Sequence, residues 1–175
     1  LLPFLICVVI VSCGRSAQQQ YVIGVSQCSH DEWRDKMNNE MYREAMLSHE
    51  IALEVRSAGG DNVIQCDDIR YFIRKKVDLL IVAPNEAGGV TPAVEEAFDA
   101  GIPVIVVDRN VHGEKYTAFI GADNEQVGYL QAQYVRTVLE PGQKIIEIRG
   151  LPGSTPSVER HNGFIRGMEG SGIEI

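Results

Sequence analysis

The sequence has no cluster of basic residues. Its 175 residues contain 16 Lys and Arg against 24 Asp and Glu, so the formal net charge is −8. Surfaces that bind nucleic acid normally carry a stripe of Lys and Arg, because those side chains displace the counterions of the phosphates. The charge balance therefore argues against a nucleic-acid partner and fits an ordinary globular protein.

Motifs for phosphate binding and for catalysis are missing as well. Neither G-x-G-x-x-G nor G-x-x-x-x-G-K-S/T follows the first predicted strand. The four histidines are scattered and match no metal-binding spacing, and Ser154 lacks a G-x-S-x-G frame. We therefore expect a binding protein that needs no metal or cofactor. The alternative from a different class is an exported α/β enzyme, which would need a general base near Asp108.

Residues 1–20 are typical of an export signal. Leu1 to Val11 form an uncharged apolar run, followed by small residues and then by a polar stretch. The run is shorter than the roughly 20 apolar residues that a transmembrane helix needs. The segment ending at Cys13 also matches a bacterial lipoprotein box, so Cys13 is either a lipidation site or a chance residue of a plain signal peptide or signal anchor. Either interpretation predicts export.

Only two cysteines, Cys28 and Cys66, fall outside this leader. An oxidising compartment would permit a disulfide between them. Cysteine is, however, among the residue types most often buried, so we expect two buried free thiols.

Short apolar runs alternate with amphipathic segments after the leader, which predicts alternating strands and helices. The predicted strands are Tyr21–Ser26, Ile51–Arg56, Leu79–Ala83, Val104–Val107, Thr117–Ile120 and Lys144–Ile148. The predicted helices are Asp31–Ser48, Asn62–Lys75, Thr91–Ala100 and Asn124–Leu139, with one more after an N-cap at Thr155. Several strands are apolar throughout, which indicates a sheet covered on both faces. We therefore predict a doubly wound parallel α/β sheet, whose ligands bind beyond the carboxyl ends of the strands.

The loop after the first strand leads to the sole Trp of the sequence, Trp33, next to Arg34. At this edge an aromatic ring can stack on a ligand while the guanidinium donates hydrogen bonds. The alternative is that Trp33 anchors the core and Arg34 is a solvated helix residue.

Polar residues also follow the later strands. Asn85 comes after the third strand and can both donate and accept hydrogen bonds. Asp108 and Arg109 come directly after the fourth strand and can bracket vicinal hydroxyls with charge-assisted hydrogen bonds, or else form a local ion pair. Arg160 lies one turn into the last helix and can face the same cleft.

Together these motifs resemble the type I periplasmic sugar-binding proteins, which include the effector domains of LacI-type repressors. The matching pieces stand in the family's order: IGVSQ with Trp33-Arg34 downstream, VDLLIVAPNE, GIPVIVVDRN, IGADNEQVG and IIEIRGLPGSTPSVERHNGF. The sequence is similar in particular to the periplasmic sensor domains of hybrid two-component histidine kinases. One departure is the Trp-Arg pair, where many relatives have two adjacent aromatics, and it leaves the sugar undetermined.

The resemblance implies a leader over residues 1–20, a first lobe over 21–142 and the start of an incomplete second lobe over 143–175, so we expect a fragment. It implies a periplasmic domain that closes by a hinge on a monosaccharide such as fructose. The implied reader of the closed form is a set of kinase modules in the same parent chain or, alternatively, an ABC permease. The implied sugar contacts are Trp33, Arg34, Asp108, Arg109 and Arg160, with Gln27 and Asn85 as further contacts.

Overall fold

The computed structural model describes residues 20–175, so the predicted leader with Cys13 lies outside the described residues. The strands are β1 (Tyr21–Gln27), β2 (Ile51–Ser57), β3 (Leu79–Ala83), β4 (Val104–Val107) and β5 (Ala118–Ile120). The helices are α1 (Glu32–Leu47), α2 (Asn62–Lys75), α3 (Ala87–Asp99), α4 (Asn124–Val138) and α5 (Thr155–Met168). Within the described range, no helix combines the length and the apolar character that a membrane crossing requires.

All five strands pair in parallel, in the spatial order β2-β1-β3-β4-β5. The chain first winds outward from β1 to β2 and then reverses to build β3, β4 and β5 on the other side. This order is that of a doubly wound sheet, whose switch point lies between β1 and β3. The predicted fold class is therefore confirmed.

The main core lies on the face of the sheet that α2 and α3 cover. Leu80, Val82, Val104 and Val106 project from β3 and β4 into it and are fully buried, together with Phe72 of α2. The opposite face carries α1 alone among the described helices, and strand residues there such as those at 81, 105 and 107 are only partly buried. The sheet is thus well covered on one side and partly covered on the other.

Helices α4 and α5 pack mainly against each other and form a second, smaller core. Their backbones approach closely because Gly128 faces the carbonyl oxygen of Arg160, where an added Cβ would come within 1.9 Å of that oxygen. The buried residues of this smaller core are Ala132, Phe164 and Met168.

The predicted strand Lys144–Ile148 is wrong, because only Lys144 forms a bridge, with Glu174. A strand needs a partner for its backbone groups, and within residues 20–175 the pairing segment reaches only as far as Ile145, whose N–H donates to Glu174 O at 2.9 Å. Beyond that point Ile146 and Ile148 are 88% and 93% exposed.

Two helix starts also differ from the prediction. Helix α3 begins at Ala87 rather than Thr91, so Pro92 lies inside it; the Thr91 hydroxyl donates to Ala87 O at 2.6 Å and supports the turn before the proline. The N-cap of α5 is Ser154 rather than Thr155, because the Thr155 hydroxyl accepts a hydrogen bond from another loop instead. The predicted free thiols are confirmed: Cys28 and Cys66 are both buried and unpaired with each other.

Candidate functional site

The candidate site begins with a buried arginine at the start of α1. Asp31 caps this helix, and its carboxylate accepts from the Arg34 N–H at 2.9 Å, which lowers the pKa of the Asp31 carboxyl. The Arg34 side chain is only 4% exposed. Its Nε donates to the Ser29 hydroxyl at 3.0 Å, and its Nη2 donates to Asp108 Oδ2 at 3.1 Å. The start of α1 is thereby tied to the residue that follows β4.

One nitrogen of this guanidinium is left without a partner. Arg34 Nη1 is buried and makes no hydrogen bond within the described chain. The neighbouring Trp33 is 56% exposed, and its ring centroid lies 5.3 Å from the Arg34 guanidinium carbon. The alternative in which Trp33 anchors the core and Arg34 is solvated is therefore wrong, since the two residues have the opposite burial.

Asp108 adopts an unusual backbone conformation directly after β4. Its φ is +65°, a left-handed value that Asp and Asn tolerate better than most residues. Its N–H donates to Ile120 O at 2.9 Å, which fixes the turn against β5. The carboxylate is 32% exposed, so it pairs with Arg34 and still faces solvent.

Arg109 and Asn85 form the next part of this edge. Arg109 Nη1 donates to the backbone oxygen of Asn85 at 2.8 Å. The Asn85 side-chain nitrogen donates to Gly60 O and to Asn62 Oδ1, each at 2.9 Å. Asn85 therefore joins the loops after β2 and β3 while it supports Arg109.

Two buried glutamines organise the strand ends beneath these loops. Gln27, the last residue of β1, donates from Nε2 to Asn38 Oδ1 of α1 at 2.7 Å, and its Oε1 is buried with no partner among residues 20–175. Gln65 of α2 accepts from the Asn85 N–H at 2.9 Å and donates to Ala83 O at 2.9 Å. Gln65 could not be recognised from the sequence, because a polar residue on an amphipathic helix is normally solvated.

A cavity of about 560 Å³ is lined mainly by α5 and the segment that joins α4 to it, and it reaches the loop after β4. Asp108 and Arg109 line one part of it, and Arg160 of α5 lines another. Arg160 Nε donates to Asn124 Oδ1 at 2.9 Å, which steadies its side chain on α4. The structure thus brings three predicted residues to one cavity. Arg34 reaches this group through Asp108, whereas Trp33, Gln27 and Asn85 do not line the cavity.

The cavity also has lining residues that the sequence analysis did not select. Glu147 Oε2 lies 2.8 Å from His161 Nδ1, and both side chains are about three-quarters buried. Arg149 lies two residues beyond Glu147 and also lines the cavity. These residues belong to the family-like stretch IIEIRGLPGSTPSVERHNGF, but its pattern does not distinguish them from their neighbours as cavity residues.

The chemistry of the cavity suits a neutral polyhydroxylated ligand. Guanidinium groups donate hydrogen bonds and the Asp108 carboxylate accepts them, so adjacent hydroxyls can be held from both sides. Among residues 20–175, no group of three or more His, Cys, Asp or Glu side chains is placed to hold a metal ion.

Comparison with protein families finds a match to the periplasmic binding protein domain over residues 22–175. The ribose import binding protein of Bacillus subtilis (strain 168) is 32% identical over 107 residues, which cover 61% of this chain and 35% of that protein. The galactofuranose-binding protein of Escherichia coli (strain K12) is 29% identical over 152 residues, which cover 84% of this chain and 48% of that protein.

Two solved structures are similar in both fold and sequence. The fructose-binding periplasmic domain of a hybrid two-component system superposes with a TM-score of 0.85 and 48% identity, over 89% of this chain and 52% of that one. An ABC transporter solute-binding protein of Bacillus halodurans C-125 with bound myo-inositol gives a TM-score of 0.83 and 31% identity, over 91% and 56%. The chain thus spans about half the length of the two solved structures. It spans about half or less of the two curated relatives.

Proposed function

Because the chain belongs to the periplasmic binding protein domain family, we propose that it is part of an exported monosaccharide-binding domain that closes on its sugar by a hinge. The observation that carries this proposal is the ion pair between the buried Arg34 and Asp108, whose carboxylate borders the same cavity as Arg109 and Arg160. The named relatives support it, since their names record binding of ribose, galactofuranose and fructose.

The sugar contacts divide between two lobes. Arg34, Asp108 and Arg109 belong to the lobe built on the sheet, and Arg160 approaches from the other. Trp33 is exposed next to Arg34, where its ring is available to stack on a sugar face. A sugar that touches both sets makes some of its contacts only when the lobes are close, so it shifts the equilibrium toward the closed form.

The lobe boundary can be argued from the packing. The sequence predicts that residues 21–142 form the first lobe and that residues 143–175 begin the second. Because α4 packs mainly on α5, we place α4 with the second lobe, which then begins near Asn124. All five strands of the described sheet precede α4 in the sequence.

The domain is proposed to serve as the periplasmic sensor of a hybrid two-component regulator, with fructose as the first candidate sugar. The 48% identity to the fructose-binding domain of such a system favours this role. The alternative is the substrate-binding protein of a sugar ABC transporter, anchored through a lipidated Cys13, and the import and solute-binding relatives favour it. The reading frame beyond Ile175 separates the two: a membrane span with kinase modules supports the sensor, and a stop codon soon after a second lobe supports the transport receptor.

The binding proposal is tested by calorimetric titration of the complete domain with fructose, ribose and galactose. Saturable binding of at least one sugar is expected. Arg34→Lys tests the site: it keeps the charge but loses the planar guanidinium that reaches both Ser29 and Asp108, so it should weaken that binding. Lys36→Arg on the exposed side of α1 is the control and should change nothing. Absence of binding for all three sugars by the folded domain would refute the proposal.

A further inference from the structure

Two hydrogen bonds join the lobes beside the sugar cavity, between residues that do not line it. The backbone N–H of Asn110, after β4, donates to the Thr155 hydroxyl at 2.8 Å. The N–H of Ala87, at the start of α3, donates to Gly153 O at 3.2 Å. Thr155 is the first residue of α5 and Gly153 lies just before it, so each bond links the sheet lobe to the α4–α5 lobe.

The contact between the two lobes favours glycine at position 153. Its φ is +82°, a conformation that favours glycine, and a Cβ there would come within 3.3 Å of the Glu86 side chain. The Glu86 carboxylate in turn accepts from Asn62 Nδ2 at 3.1 Å, so it is held in place by the first lobe. The loop therefore seats against a fixed surface.

The donors of these bonds stand next to the proposed sugar residues. Asn110 is two positions after Asp108, and Ala87 is two positions after Asn85, whose backbone oxygen holds Arg109. Neither Thr155 nor Gly153 lines the sugar cavity. The bonds are thus placed to couple the position of the second lobe to the loops that carry the sugar contacts.

We propose that Thr155 and Gly153 form a latch, which stabilises the closed arrangement of the lobes without touching the sugar. This inference rests on the proposed hinge-closing function. When the lobes part, the Asn110 and Ala87 amides lose their partners in the α5 loop and must turn to water. A stronger latch leaves less of the sugar's binding free energy to be used for closure. A change in the latch should therefore change the affinity for every sugar by the same factor.

The test uses the complete domain and three threonine variants. Thr155→Val keeps the shape but removes the acceptor, and should weaken binding about fivefold to tenfold, as expected for one hydrogen bond. The factor should be the same for every sugar that binds, whereas a lost sugar contact changes the ratio between sugars. Thr155→Ser keeps the hydroxyl and should stay within twofold of the wild type. The matched control is Thr137→Val, an exposed threonine of α4 whose hydroxyl bonds only within its own helix.

A second measurement needs no sugar. Spin labels at Met46 and Tyr134, which are 79% and 68% exposed on the two lobes, report the distance between the lobes. Thr155→Val and Gly153→Ala should both shift the distance distribution toward the open form. If wild-type distances persist in both variants, the latch is wrong, even where sugar binding is intact. If the wild type binds no sugar, the proposed function fails, and the distances still decide the latch.

Discussion

Replacement of Asp108 by Asn tests the central pair of the site. Asn fits the left-handed φ of +65° and has almost the same volume, so the substitution changes the charge and little else. It leaves the guanidinium of Arg34, whose side chain is 4% exposed, without its carboxylate partner at 3.1 Å. The remaining acceptors are the Ser29 hydroxyl at 3.0 Å and Asp31 Oδ2 at 3.4 Å.

The magnitude follows from this partial compensation. Removal of one partner of a fully buried ion pair costs about 3–5 kcal/mol. Because the Asp108 carboxylate is 32% exposed and Asp31 still faces Arg34, we expect Asp108→Asn to lower the free energy of unfolding by about 1.5–3 kcal/mol. Sugar affinity should fall about tenfold, because charge-assisted hydrogen bonds to the hydroxyls become neutral ones.

Urea unfolding and calorimetric titration of the complete domain measure the two effects separately. Asp99→Asn is the matched control, since Asp99 pairs with Lys115 at 2.8 Å while both side chains are about half exposed, and we expect less than about 0.5 kcal/mol there. Asp108→Ala adds about 1–2 kcal/mol of left-handed backbone strain to the loss of the pair. Equal stability and affinity for Asp108→Asn and the wild type would refute the role assigned to this pair.

Three further outcomes are expected. Trp33→Ala should weaken sugar binding with little change in the unfolding midpoint, because the ring is 56% exposed. Tyr42→Ala on the same helix is the control, and an equal loss of affinity in both variants would point to damage to the helix. Gly128→Ala should destabilise strongly in thermal unfolding, since its Cβ meets a backbone carbonyl at 1.9 Å, whereas Gly88→Ala, with 3.9 Å of space inside α3, should stabilise by about 0.5–1 kcal/mol. Hydrogen bonding to arginine lowers the pKa of Glu96 in the folded state, so its contribution to stability is complete above about pH 5 and is lost as the pH falls through that lowered value; a flat profile of stability down to pH 3 would contradict this.

The fold was largely predictable because the apolar pattern of this chain is local and regular. The segments LLIVA and VIVV are apolar throughout, and they form β3 and β4 with the predicted bounds. The cap residue Asp123 fixed the start of α4, and its carboxylate accepts from the Gln126 N–H at 2.9 Å. The strand predicted at Lys144 is wrong because strand pairing is not local: its apolar residues have the right pattern, but among residues 20–175 the only bridge of this segment is that of Lys144 with Glu174.

The site was predictable only in part. Strand-end position selected Asp108 and Arg109, since parallel strands end at one edge. Burial could not be foreseen for adjacent residues at the start of a helix, where successive side chains differ by about 100° around the axis. In this helix Arg34 is buried and Trp33 is exposed. The hydrogen bonds of Gln65 with Asn85 and of Glu147 with His161 join residues that are 20 and 14 positions apart, and a local sequence pattern does not show which such residues meet.

The two hydrophobic cores have a consequence for local unfolding. The larger one is built on the sheet with α2 and α3, while the α4–α5 pair buries only Ala132, Phe164 and Met168. Segments with few buried apolar contacts open at lower free energy than the rest of a protein. Amide protons of β3 and β4 should therefore exchange with deuterium only on global unfolding, and those of α4 and α5 through a smaller, earlier opening. One polypeptide would then show two levels of protection, with their boundary at the proposed lobe junction near Asn124.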